Sequence, residues 1–84
     1  MNNSGSMEVK VKLYSILKKY REGKLDKDNN ISLPEHFTLQ DLISHLNIPE
    51  KPGKICLVNG YPRDREYTLS EGDEVKILPL MGGG

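Results

Sequence analysis

One stretch of this chain carries a clear helical repeat, while most of the apolar sequence around it carries a two-residue repeat. Leu39, Leu42, Ile43 and Leu46 fall at the i, i+3, i+4, i+7 spacing that lines one face of a helix. Thr38 stands where an N-cap belongs, with Asp41 three residues on. That is close to a capping box, with Asp in place of Glu or Gln, and Phe37 is placed to staple onto Leu42. Asn47 and Pro49 close the segment. One helix covers one face of one sheet, so the spacing predicts a two-layer α+β domain.

The remaining segments supply that sheet. Residues 8–14 alternate strictly, with Val9, Val11 and Leu13 on one face and Lys10, Lys12 and Tyr14 on the other. Ile16, Leu17 and Tyr20 suggest a short helical turn, and residues 21–30, charged and containing Gly23, read as a mobile loop. Residues 31–33 form a short second strand stopped by Pro34, and residues 54–58 a third strand that is apolar on both faces. Asn59 and Gly60 are a strong hairpin signal, leading to a short fourth strand or loop. After a second turn at residues 70–73, residues 74–78 form the last strand. Pro79 is expected to take the chain out of the sheet, because proline donates nothing to a ladder. The first and last strands suit a parallel pairing at the sheet centre.

Eighty-four residues support one domain. A chain of this size buries roughly 60–65% of its unfolded surface, which leaves little room for a deep enzyme pocket. Twelve basic and twelve acidic residues cancel, so charge gives no reason to expect nucleic acid or an anionic membrane. No apolar run approaches the roughly 20 residues of a membrane helix, and no signal-peptide core is evident. Cys56 is the single cysteine, which excludes an intrachain disulfide and is consistent with a reducing cytoplasm. Residues 1–6 read as a disordered leader, residues 7–81 as the domain, and residues 82–84 as a flexible glycine tail.

The β–β–α–β–β order, the Val58-Asn59-Gly60 turn, the stretch from Leu69 through Glu71, Gly72 and Asp73 to Val75, and the terminal glycines together resemble the ubiquitin-like β-grasp sulfur carriers of the MoaD/ThiS family. The resemblance spans residues 7–84. The long first hairpin, residues 18–30, favours the type that serves as the small subunit of molybdopterin synthase over the thiamine-pathway type. The third glycine, Gly82, occurs in thiamine-type tails as well and tempers that preference.

The resemblance implies chemistry at one atom group, the Gly84 carboxylate. An E1-like adenylating enzyme would activate it with ATP, and sulfur would then displace AMP to leave a thiocarboxylate, so the chain itself would bind no cofactor. The sulfur would pass to an acceptor enzyme, the molybdopterin synthase large subunit on the favoured reading. Glycine suits the task because its carbonyl is unhindered and its backbone fits a narrow cleft, so Gly82 and Gly83 would thread the tail. Leu57 and Leu78, with Leu80 and Met81 leading into the tail, would offer an apolar docking surface. Parity places Lys76 and Leu78 outward; for the third strand, apolar on both faces, it leaves open whether Ile55 and Leu57 or Cys56 and Val58 do so.

Blander readings apply elsewhere. Cys56 reads as a buried apolar filler. His36 and His45 lack any ligand pattern around them, so no metal site is expected. Lys10, Lys12, Lys18 and Lys19 read as a solvated face, with contact to an acidic partner as the alternative. No Ser-His-Asp, Cys-His or paired-carboxylate constellation is visible, which argues against an enzyme. Two rival functions remain: a ubiquitin-like modifier joined through Gly84 to lysines, and a β-grasp interaction module with an idle tail.

Overall fold

The computed structural model describes residues 5–51 and 53–80. A mixed sheet has the strand order β2-β1-β5-β3-β4, formed by β1 (Ser6–Leu13), β2 (Asn30–Pro34), β3 (Lys54–Val58), β4 (Tyr61–Pro62) and β5 (Glu74–Pro79). Among the described residues one α-helix, α1 (Leu39–His45), and one 3-10 helix (Ser15–Arg21) accompany the sheet. β1 and β5 run parallel side by side, and every other pairing is antiparallel. The α+β reading, the ubiquitin-like β-grasp architecture and the parallel central pair all hold.

One core joins the layers. Val9, Val11, Val75, Ile77, Cys56 and Val58 from the sheet share a buried cluster with Leu39, Leu42, Ile43 and Leu46 of the helix segment. Leu17 of the 3-10 helix reaches the same cluster, which is why that short segment folds against the sheet.

Both ends of α1 are closed. The Thr38 hydroxyl accepts from Asp41 N (3.1 Å), and the Asp41 carboxylate accepts from Thr38 N (3.0 Å), so Asp completes the capping box. Leu39 N and Gln40 N donate to the carbonyls of Tyr67 and Arg65, so these first-turn donors are also satisfied. At the far end Asn47 takes a positive φ of 62°. Asn47 N then donates to Ser44 O and Ile48 N to Ile43 O, a Schellman closure.

Three expectations need correction. β1 begins at Ser6, which pairs with Pro34, so Ser6 belongs to the sheet and not to a leader. Residues 21–30 form a tied loop, not a loose one. The Arg21 guanidinium donates to Asp26 O (2.8 Å) and Asn29 Oδ1 (2.9 Å), and Asp26 Oδ1 accepts from Asp28 N and Asn30 N. Finally, Pro79 does not leave the sheet: it pairs with Lys54, and Leu80 N still donates to Gly53 O at 2.8 Å. In this register the even-numbered residues of β5 bond β3, so the nitrogen of Pro79 faces the β1 side. β1 has already ended there, its last partner being Ile77, and the missing N–H costs no ladder bond.

Candidate functional site

The helix covers one face of the sheet and leaves the other open. On that open face β5 presents Glu74, Lys76 and Leu78, each half-buried, and Leu80 follows at 50% exposure. The register sets β3 beside them, with Leu57 opposite Lys76 and Ile55 opposite Leu78. Cys56 and Val58 are buried on the helix side, so Ile55 (43% exposed) and Leu57 point outward. This settles the parity that β3 alone left open: Leu57 and Leu78 lie on one face.

The patch extends beyond those two leucines. Ile55 and Leu78 are a cross-strand pair, and Leu80 lies over Gly53, where an added Cβ would meet Leu80 Cδ1 at 3.1 Å. Gly53 therefore seats Leu80, a role no sequence signal marks. Pro62 lies opposite Leu57 and continues the apolar row to the sheet edge. The other flank is charged. Lys12 lies beside Lys76, and its Nζ meets Glu74 Oε2 at 3.1 Å. That bond to Lys12 draws the Glu74 carboxyl below its ordinary value.

The root of β5 is braced by side chains of the preceding turns. Asp73, buried at 7% exposure, accepts from Asn59 Nδ2 (2.9 Å) and from Ser70 N (2.8 Å). Asn59 Oδ1 in turn accepts from Glu74 N at 2.9 Å. Asn59 and Gly60 both have positive φ, 53° and 91°, as the tight β3–β4 turn requires. The sequence marked both turns; that they clasp each other was not legible.

Cys56 takes no part in the open face. Burial pushes its thiol above the ordinary range. No group of three or more His, Cys, Asp or Glu capable of holding a metal occurs among the described residues. No described helix is long and apolar enough to cross a membrane. Met81, Gly82, Gly83 and Gly84, the remaining residues expected at the site, lie outside the described residues.

The ThiS family profile matches residues 14–84, most of the chain. The chain belongs to the ThiS family. Solved structures carry the same fold. The Haloferax volcanii HVO 2177 protein is similar with a TM-score of 0.72 at 21% identity, over 100% of this chain and 92% of that one. Small archaeal modifier protein 1 from Methanosarcina acetivorans has a TM-score of 0.63 at 24% identity, over 94% and 98%. A Pyrococcus furiosus protein assigned as molybdopterin converting factor, subunit 1, has a TM-score of 0.60 at 24% identity, over 87% and 97%. No curated protein matches the chain. This ThiS-family chain is of the MoaD/ThiS-type ubiquitin-like sulfur-carrier kind. Membership implies work with E1-like activating enzymes and acceptor proteins.

Proposed function

We infer that the chain carries sulfur on the Gly84 carboxylate for molybdopterin assembly in the cytoplasm. A partner enzyme adenylates the carboxylate with ATP; sulfide then replaces AMP, and the thiocarboxylate delivers sulfur to an acceptor enzyme, the molybdopterin synthase large subunit. One observation carries this reading. β5 is the middle strand of the sheet, and its end lies in an apolar patch of exposed Ile55 and Leu80 with half-buried Leu78. A partner gripping that patch holds the root of the tail, so Gly82 and Gly83 need only span the last few ångströms of a narrow channel. The long, hydrogen-bonded first hairpin favours the molybdopterin branch over the thiamine branch.

The test is intact-mass measurement after incubation with an E1-like partner, ATP and a sulfur donor. The expected product is heavier by the exchange of one oxygen for one sulfur, and removal of Gly84 abolishes it while leaving unfolding unchanged. Full activity of the truncated chain would sink the carrier reading in favour of an interaction module with an idle tail. The likeness to a small archaeal modifier protein supports a second reading, conjugation through Gly84 to target lysines. Isopeptide-linked products that form without any thiocarboxylate would select it.

A further inference from the structure

The charges of this neutral chain are not evenly spread. A cleft of about 330 Å³ opens between the end of β1, the 3-10 helix and the loop ahead of β2. Lys12, Lys18 and Arg21 line it with Leu13, Tyr14 and Asn29, and no carboxylate does. A second concavity, at the start of β1, has the opposite character: Glu35 and Glu71 line it beside Ser6 and His36, and neither Lys nor Arg does. The domain therefore has a basic pole and an acidic pole at opposite ends of β1.

The basic pole is the one from which the C-terminal residues depart. β1 and β5 are parallel, and Tyr14 N donates to Ile77 O at 3.3 Å, so the cleft adjoins the end of β5. It is also continuous with the open face through Lys12. Its geometry is built in advance. Arg21 is held by Asp26 O and Asn29 Oδ1, so its charge is fixed at little further cost in side-chain entropy. Two carboxylates offset part of this charge: Asp26, whose Oδ1 accepts from the amides of Asp28 and Asn30, interacts with Arg21, and Glu74 pairs with Lys12 at 3.1 Å. Lys18 is the cleft cation on which neither of them acts. Lys18 is exposed at the rim. Leu13 and Tyr14 supply an apolar wall suited to the methylenes of glutamate.

We propose that this cleft receives an acidic, Glu- or Asp-bearing segment of the enzyme that activates the tail, and so sets the rotation of the domain as the apolar patch docks. A patch of aliphatic side chains fixes position poorly about its own normal; an off-centre charge contact supplies the missing constraint and speeds encounter. The identity of the partner rests on the carrier reading, but the acid-binding property of the cleft does not.

The test is therefore made on the chain alone, labelled with nitrogen-15 and titrated with a hexaglutamate peptide at low salt. Amide shifts are expected at Lys12, Tyr14, Lys18 and Asn29, fading as sodium chloride is added. Lys18→Glu should weaken binding about fivefold or more, whereas Lys51→Glu, outside the cleft, should change it by less than about twofold. Shifts scattered over all lysines would overturn the proposal. So would equal binding of inorganic phosphate at the same sites, which would make the cleft a small-anion site, or tighter binding of an oligothymidylate, which would make it a nucleic-acid site. Loss of thiocarboxylate formation with hexaglutamate binding intact would refute the carrier reading and leave the cleft's property standing.

Discussion

The clasp between Asn59, Asp73 and Glu74 permits a stability prediction that can be worked through. Asn59 makes two side-chain hydrogen bonds, to the Asp73 carboxylate and from Glu74 N. At about 1 kcal/mol net each, their loss costs about 2 kcal/mol. Asn59 also sits at a φ of 53°, where alanine costs a further 1 kcal/mol or so. Asn59→Ala is therefore expected to lose about 3 kcal/mol, a large share of the roughly 5 kcal/mol typical of a small domain. Asn59→Gly loses the same bonds but tolerates the backbone, at the cost of extra freedom in the unfolded chain, so it should recover only about 0.5 kcal/mol. Urea unfolding followed by circular dichroism gives both values, with the m-value checking that the transition stays two-state. A cycle with Asp73→Ala should return a coupling of about 1 kcal/mol. A coupling below about 0.3 kcal/mol, or an Asn59→Ala loss under about 1 kcal/mol, would refute the idea that the clasp holds the root of β5.

Other outcomes follow from the same geometry. Leu80→Ser removes a half-exposed leucine; burying the exposed half against a partner is worth about 1 kcal/mol, so affinity for the activating enzyme should fall about fivefold while the melting temperature barely moves. Thr38→Ala breaks the capping box and should cost about 1 kcal/mol in urea unfolding. The Asp26 carboxyl is held below its ordinary value, chiefly by the Asn30 amide. Its folded value thus lies below its unfolded value, so its contribution is present at neutral pH and lost as pH falls through the folded value. Asp26→Asn should flatten that part of the acid limb of a stability–pH curve, below the ordinary carboxylate value, and an unchanged limb would contradict it.

How much of this was legible beforehand differs by residue. Thr38 and Asp41 announced the helix start because a cap is a local bond between residues three apart. Asn59 and Gly60 announced the hairpin because positive φ is a local demand on the backbone. Ile55 was harder: with apolar residues on both faces, the alternation of β3 carried no sign until Cys56 and Val58 were seen against the helix. Gly53 was not legible at all, since its role is to leave room for Leu80, a neighbour only across the sheet.

The amino-acid sequence alone determined the elements, their order and the two-layer class, because periodicity, caps and turns are properties of neighbouring residues. It also singled out the terminal glycines as the candidate for chemistry, through their place in the family resemblance. The tertiary structure decided everything that depends on register between distant strands: that Pro79 stays in the sheet, that Ile55 meets Leu78, that Asn59 clasps Asp73, and that Lys12, Lys18 and Arg21 gather where β1 and β5 end. Register follows from the joint packing of both layers around one core, and no local segment carries that information.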